Sequence, residues 1–277
     1  MLRLVPDWVI YALVLGVVLW AIFTGNSDDA PPPPPEAIAE EGAMLPPPSA
    51  FDERVLVQVT APKSGIGTAF AVNEQGQWLT ARHVVEGCNE VSLLVAPGQY
   101  APASSITISE RFDLALIQTE SSPNPAPMNT ENDLRIGAYG FHVGYPQGRP
   151  GEAASRLLAR SNLVSRGRRS NSESVLAWAE TGRTRGLMGS LGGLSGGPVY
   201  DEAGNVRGVI VAESARRGRI YTAAPEAVAE FVKATGIETI GNIPQVFSAG
   251  TYGQEADNAR RNLQVVKVAC SVSGAQP

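Results

Sequence analysis

The sequence contains little histidine, cysteine or aromatic residue. Its 277 residues include two histidines, two cysteines and 6% aromatic residues. So few and so scattered histidines and cysteines form no recognisable zinc-binding pattern, and we expect neither a metal nor another cofactor. Long helical patterns are also few, whereas glycine and proline number 29 and 21. This composition excludes a coiled coil and a wholly disordered chain, and it favours an all-β fold.

The sequence has no excess of positive charge. Its formal net charge is −5, but residues 1–50 hold one basic and six acidic residues, so the other 227 residues hold 21 of each. A balanced globular part does not call for an anionic polymer as partner. We therefore expect no binding of nucleic acid.

One long apolar run lies near the N-terminus. Trp8 to Gly25 is an 18-residue stretch without a charge, which as a helix would span about 27 Å, close to the thickness of a bilayer core. We expect an uncleaved transmembrane anchor; a cleaved signal peptide and a buried core helix are the alternatives. Arg3 precedes the run and Asp28 and Asp29 follow it, so the positive-inside rule places residues 26–277 outside the cytoplasm.

The rest of the chain divides by composition. We expect a membrane anchor at 1–25, a proline-rich acidic linker at 26–50, a globular domain at 51–236 and a tail at 237–277, to which the sequence assigns no function. Short apolar runs separated by turn residues predict strands near 54–59, 67–72, 77–81, 91–96, 113–118, 137–144, 174–180 and 206–213. The pattern of Pro225–Thr235 predicts a helix that stops at Gly236, and residues 252–270 predict a second helix or a strand.

Three segments carry residues suited to nucleophilic catalysis. His83 lies in WLTARHVVEGC, Asp113 begins the apolar run of RFDLALIQ, and Ser195 lies in the glycine-rich GSLGGLSGGPV. A serine hydroxyl needs a base to take its proton, and histidine suits that role when a carboxylate holds its tautomer. The developing oxyanion needs backbone N–H donors, which Gly193 and Ser195 would supply. Each residue alone is more often structural, but the order His, Asp, Ser between strand patterns predicts a catalytic triad.

These segments resemble those of the trypsin-like, chymotrypsin-fold serine proteases, and most of all the bacterial branch that includes the high-temperature-requirement proteases. The resemblance rests on residues 64–72, 79–85, 113–117, 144–148, 193–199 and 205–210. It implies a trypsin-like protease domain of two six-stranded antiparallel β-barrels with the triad between them, followed by a C-terminal helix. It also implies His83 as general base, Asp113 as its orienting carboxylate and Ser195 as nucleophile.

Departures from the family pattern are informative. Leu194 replaces the Asp or Asn of many members, so we expect no activation by a newly made N-terminus. Too few residues follow the helix for a PDZ domain. Arg82 stands where a small residue is common, and we expect its side chain to point to solvent.

The substrate pocket implied by the family pattern involves Gly189, Glu213 and Gly218. Gly189 at its base predicts a small or medium apolar side chain before the cleaved bond, unless Glu213 points inward and favours a basic one.

Three further features have structural and functional interpretations. Outside the cytoplasm paired cysteines tend to oxidise, and in this fold the tail could reach Cys88, so we hypothesise a Cys88–Cys270 disulfide; two free thiols or an intermolecular bridge are the alternatives. His142 is expected to be a structural residue at a strand end rather than a ligand. An arginine-rich segment at 156–169 is expected to be a solvated hairpin tip, and an anion-binding surface is the alternative.

The sequence therefore predicts a membrane-tethered serine endopeptidase that cleaves polypeptide substrates. We expect it in a bacterial inner membrane as a single-pass protein with its catalytic domain on the periplasmic side. A catalytically inactive protease fold that only binds peptides is the first alternative. An anchored adaptor that works through its proline-rich linker is the second.

Overall fold

The computed structural model describes residues 42–59, 61–167, 171–239 and 246–273. Fourteen strands within these residues form two seven-stranded sheets. The first contains β2 Gly65–Ala71, β3 Gln77–Thr80, β4 Glu90–Ala96, β5 Gln99–Pro102, β6 Ser105–Ile108, β7 Ala115–Gln118 and β14 Val265–Ser271, in the order β5-β4-β14-β2-β3-β7-β6. The second contains β1 Glu53–Val59, β8 Tyr139–Gly144, β9 Gly151–Gly167, β10 Asn171–Arg183, β11 Pro198–Tyr200, β12 Val206–Ser214 and β13 Arg219–Ala223, in the order β1-β9-β10-β13-β12-β11-β8.

Three α-helices accompany the described strands: α1 Arg82–Val85, α2 Pro225–Thr235 and α3 Tyr252–Arg261. The helix predicted at Pro225–Thr235 is confirmed to the residue. Pro225 occupies its first turn and Gly236 ends it with a φ of +68°, a left-handed conformation that glycine adopts without strain. Its apolar face is buried through Ala227, Val228 and Phe231. Residues 252–270 contain both a helix and a strand, the two structures that the sequence left open.

The prediction of two six-stranded antiparallel barrels is corrected in its strand count. Pairing of β8 with β9 closes β8 to β13 into a ring of six, but β1 joins as a seventh strand, parallel to β9. The reason is the length of β9: its first part, Gly151–Arg156, pairs with β8, and its last part, Ser161–Gly167, offers the edge that β1 occupies. The first sheet gains its seventh strand from the C-terminal end of the chain.

That last strand is central to the first sheet. β14 pairs in antiparallel register with β2 on one side and with β4 on the other. Its side chains Val265, Val266 and Val268 are fully buried, and burying such side chains stabilises a fold by about 1.5–3 kcal/mol each. The segment that the sequence separated as a tail therefore packs within the same β layers, because its apolar strand completes the sheet.

The described end of the proline-rich segment also packs on the second sheet. Leu45 is buried, and its N–H donates to the carbonyl of Leu134 at 2.8 Å. Residues 1–41, including the apolar run Trp8–Gly25, lie outside the described residues. Among the residues that are described, no helix has the length and apolar character to cross a bilayer.

Two arginines of the arginine-rich segment contact protein groups. Arg156 stacks over the ring of Tyr139 at 3.4 Å. Arg160 is buried and donates to Glu226 at 2.5 Å. Arg168 and Arg169, at the predicted hairpin tip, lie outside the described residues. Arg156 and Arg160, two of the five arginines in the alternative of an anion-binding surface, are thus engaged by protein groups.

Candidate active site

The short helix α1 places His83 against Asp113. The helix begins two residues after β3, whose last residues are buried. The packed strand therefore fixes the position of the backbone that carries His83. His83 makes two contacts with Asp113: its backbone N–H donates to Oδ1 at 2.9 Å, and its ring Nδ1 lies 2.6 Å from Oδ2. The second contact requires the proton on Nδ1 when Asp113 is ionised, which leaves Nε2 free to accept a proton.

The electrostatics of this pair favour an ionised aspartate. Burial alone raises the pKa of Asp113, but the charge of His83 and its two hydrogen bonds outweigh burial and lower that pKa. Burial likewise opposes a charge on His83, but the charge and hydrogen bond of Asp113 outweigh it and raise the pKa of His83. The pair therefore stabilises an imidazolium next to a carboxylate.

A tight turn between the sheets carries Ser195. Gly196 follows it with a φ of +84°, and a Cβ there would lie 2.2 Å from the carbonyl oxygen of Thr68. Gly193 has a φ of +99°, and a Cβ there would lie 2.6 Å from the carbonyl oxygen of Tyr145. Only glycine fits these two positions, because any side chain would combine backbone strain with a clash. The glycine pattern of the sequence thus reflects the close approach of two other backbones.

The same turn carries two backbone N–H groups that could bind a developing oxyanion. The carbonyl of Gly192 accepts the N–H of Gln147 at 2.5 Å, and the carbonyl of Gly193 accepts the hydroxyl of Thr68 at 2.8 Å. Within the described residues, the N–H groups of Gly193 and Ser195 have no acceptor. Paired N–H donors without a protein acceptor are what an oxyanion hole requires.

A cavity of about 520 Å³ brings the three predicted triad residues together. His83, Asp113, Ser195 and Gly193 all contribute to its lining. The Ser195 hydroxyl has no hydrogen bond of 3.5 Å or less to any described residue, His83 included. Contacts between nucleophile and base are often long in unliganded enzymes and shorten in the substrate complex.

A recess of about 30 Å³ beside Ser195 is the nearest candidate for a specificity pocket. It is lined by Leu191, Gly192, Leu194, Ser195, Ile210, Ala212, Glu213 and Ile220. Of the three predicted pocket residues, only Glu213 lines it; Gly189 and Gly218 do not. The Glu213 carboxylate accepts the hydroxyl of Ser190 and, at 2.8 Å, the N–H of Leu191. Glu213 is thus already engaged by protein donors.

Sequence reasoning missed three residues at this site. Arg82 was expected to face solvent, but it is buried and donates to the carbonyl of Ser109 at 3.1 Å. Glu173 is buried and contacts the backbone of Asp113. Gln147 donates hydrogen bonds to the segment before Ser195. A charged residue inside an apolar run was a usable signal for Arg82, whereas Glu173 and Gln147 lie in polar surroundings that carry no such signal.

Two other predictions concern residues outside the triad. Cys88 and Cys270 form the hypothesised disulfide, which joins the loop after α1 to β14 at the rim of the cleft. His142 is fully buried in β8, with Nε2 at 2.7 Å from the Ser155 hydroxyl and its ring edge-on to Trp178. Burial lowers the pKa of His142 to about 3, so it is a neutral structural residue, inside β8 rather than at the strand end that the sequence predicts.

Two β-sheets with a histidine–aspartate pair and a serine lining the groove between them are typical of the chymotrypsin class of serine hydrolases. Residues 67–209, just over half of the chain, match the trypsin-like peptidase domain family. The chain belongs to this family. A protein of Sinorhizobium fredii, named the uncharacterized protein y4bJ, is 32% identical over 155 residues, which are 54% of this chain and 22% of that protein.

Another relative is the probable periplasmic serine endoprotease DegP-like of Pseudomonas savastanoi pv. phaseolicola. It is 23% identical over 145 residues, or 52% of this chain and 28% of the relative. The chain thus spans about a quarter of the length of the curated relatives it matches. The active form of the Rv3671c protease from M. tuberculosis superposes with a TM-score of 0.52 at 18% identity, covering 74% of this chain and all of that one. This likeness confirms the chymotrypsin-like fold.

Proposed function

We propose that this protein is a membrane-tethered serine endopeptidase that hydrolyses peptide bonds of periplasmic proteins. The observation that carries the proposal is the 2.6 Å contact between His83 and Asp113 in the cavity that Ser195 also lines. A buried carboxylate on one imidazole nitrogen, with a serine lining the same cavity, supplies the residues that activate serine for acyl transfer once substrate binding brings the hydroxyl to the other nitrogen.

The proposed reaction has two halves. Ser195 Oγ attacks the scissile carbonyl carbon while its proton passes to His83 Nε2, and the N–H groups of Gly193 and Ser195 stabilise the oxyanion. His83 then donates that proton to the departing amine, which leaves an ester between substrate and Ser195. Water, deprotonated by His83, attacks this ester, and His83 returns the proton to Ser195 Oγ as the ester bond breaks and the acid leaves. Asp113 remains ionised throughout and stabilises the imidazolium that forms in each half.

The recess beside Ser195 supports a preference for a small apolar side chain before the cleaved bond. Leu191, Leu194, Ile210 and Ile220 give it apolar walls, and its volume is only about 30 Å³. Glu213 also lines the recess, but each of its carboxylate oxygens already accepts a hydrogen bond, from Ser190 and from Leu191, which leaves fewer lone pairs for a basic side chain. Cleavage of a peptide library should therefore favour Ala or Val over Lys or Arg at this position.

The location is proposed from the sequence and from relatives. In this proposal residues 1–25, which contain the apolar run Trp8–Gly25, serve as the anchor, and residues 26–50 serve as the linker. Residues 51–236 form the protease domain, and the strand from 237–277 completes it. Relatives named as periplasmic endoproteases support an extracytoplasmic site. Fractionation should recover the full chain with inner membranes, and protease added to spheroplasts should degrade its C-terminal part.

Labelling with a serine-reactive fluorophosphonate tests the chemistry. The full chain should react, and Ser195→Ala and His83→Ala should each lower the labelling rate at least 1,000-fold, because a triad loses its activity when any member is removed. Ser121→Ala is the matched control, an exposed serine that lines neither the cleft cavity nor the recess, so its loss should leave labelling unchanged. Folded wild-type protein that neither labels nor cleaves would indicate instead the peptide-binding module without catalysis.

A further inference from the structure

A second carboxylate lies directly behind the proposed triad. Glu173, near the start of β10, is 6% exposed, and its two carboxylate oxygens each lie 3.1 Å from the backbone N–H of Asp113. Asp113 precedes β7 in the first sheet, whereas Glu173 belongs to the second. The contact therefore links the two sheets at the residue that orients His83.

The contact with Glu173 adds a hydrogen bond to the main chain of Asp113. The side chain of Asp113 is fixed by the backbone N–H and the ring of His83, but those contacts leave its own main chain unconstrained. Glu173 accepts the Asp113 N–H, and hydrogen bonds to an ionised acceptor are about twice as strong as neutral ones. The aspartate is thus held through its side chain from one sheet and through its backbone from the other.

The charges around this contact are few and come from three elements. Arg82 and His83 lie on α1, Asp113 lies before β7, and Glu173 lies on β10. Burial and the charge of Asp113 raise the pKa of Glu173 to about 7, while the Asp113 N–H, Arg82 and His83 act to lower it. The negative charge of Glu173 in turn acts to raise the pKa of His83.

We infer that Glu173 is a positioning residue of the triad, which fixes the main chain of Asp113 from the opposite sheet and adds a second negative charge that favours the His83 imidazolium. The inference rests on the proposed function, since it assigns Glu173 a part in serine activation. Glu173 acts through Asp113 and His83; it does not line the cleft cavity.

Glu173→Gln separates the charge from the geometry, because the amide oxygen can still accept the Asp113 N–H. The variant should lower kcat/KM at its alkaline plateau about threefold to tenfold, since a neutral acceptor holds the imidazolium less well. The acid limb of its pH profile should move to lower pH. Glu226→Gln is the matched control, a glutamate paired with Arg160 that does not act on His83 or Asp113.

A second readout does not depend on turnover. The chain has two histidines, and His142 stays neutral above its pKa of about 3, so a ¹⁵N-histidine NMR titration of the full chain follows His83 alone. In a Ser195→Ala background, Glu173→Gln should shift the His83 titration to lower pH, and Glu226→Gln should leave it in place.

The outcomes separate the two proposals. An active wild type whose pH profile and His83 titration are both unchanged by Glu173→Gln would overturn the role of Glu173 and leave the proposed function intact. A wild type without labelling or cleavage would overturn the proposed function, while the NMR titration would still report the charge. Glu173→Ala removes the acceptor as well, and if it fails to fold, the glutamine variant still decides.

Discussion

At the scale of single residues, the nucleophile turn depends on a side chain distant in sequence. Gln147 has a φ of +52°, a left-handed conformation that costs a residue with a Cβ about 1 kcal/mol and recurs at functional sites. Its N–H donates to the carbonyl of Gly192 at 2.5 Å. Its amide nitrogen donates to the carbonyls of Met188 and Ser190 at 2.7 and 2.8 Å. Three hydrogen bonds from one residue thus fix the segment that leads into the proposed oxyanion hole.

Gln147→Ala should lower kcat/KM and the fluorophosphonate labelling rate together, by about tenfold, because both reactions use the oxyanion hole that this segment forms. Stability should fall by about 1–2 kcal/mol for the two lost hydrogen bonds. Gln118→Ala is the matched control: its amide also donates to two carbonyls, those of Gln75 and Thr119, outside the cleft. Equal activity losses in the two variants would contradict a specific role for Gln147.

The sequence could point to the three residues of the proposed triad but not to the residues that contact them. His83, Asp113 and Ser195 each stand in a local pattern, and their order along the chain narrows the possible chemistry to one class. Glu173 acts through a contact 60 residues away in sequence, and Gln147 through contacts 41 and 43 residues away. Such contacts depend on how the sheets pack, and no local pattern encodes that packing.

At the scale of elements, strands with a clear apolar run were predictable and the others were not. The runs at β2, β4 and β12 stand out because their apolar residues are nearly continuous. β9 was not predicted, because arginine, serine and glycine interrupt its 17 residues. These residues are still compatible with a strand paired on two sides, because the pairing is made by backbone groups. The position of β14 between β2 and β4 joins residues about 200 apart in sequence, which periodicity cannot show.

The disulfide fastens this last strand to the histidine loop, and its removal tests what the strand needs. Cys88 and Cys270 are 182 residues apart, so the bond restricts a long loop in the unfolded chain. Replacing both with Ser should lower the free energy of unfolding by about 2–5 kcal/mol. The pairing of β14 on both sides should keep the fold and the labelling of Ser195.

Urea unfolding, followed by the fluorescence of the buried Trp78 and Trp178, measures this loss. Wild type under a reductant should unfold at the same urea concentration as the double variant, since both lack only the covalent bond. An unchanged midpoint in the double variant would mean that the disulfide adds nothing to stability. Loss of labelling in a folded variant would mean that the bond also shapes the cleft.

At the scale of the whole molecule, buried titratable groups change the free energy of unfolding with pH in opposite directions. The pKa of His142 is lowered from 6.5 to about 3 by burial, so between these values the unfolded chain binds a proton that the folded chain refuses. Stability from this group is complete above pH 6.5 and falls by about 1.4 kcal/mol per pH unit below it. Glu173, with its pKa raised from 4.5 to about 7, stabilises the fold below pH 4.5 and loses that contribution as pH rises through 7.

The two histidines should therefore respond to acid in opposite ways. His142→Gln should be less stable than wild type at pH 7.5, and the difference should shrink by about 1.4 kcal/mol per pH unit from pH 6.5 to 4.5, because only wild type then protonates His142 on unfolding. The contribution of Glu173 cancels in this comparison.

His83 has a raised pKa, so it stabilises the fold below pH 6.5 and loses that effect as pH rises through its folded-state pKa. The advantage of wild type over His83→Gln should accordingly grow as pH falls toward 6.5 and stay level below it. Urea unfolding of the three proteins at pH 8.5, 7.5, 6.5, 5.5 and 4.5 measures both dependences, and a His142→Gln difference that grows toward acid would contradict the burial of His142 as a neutral group.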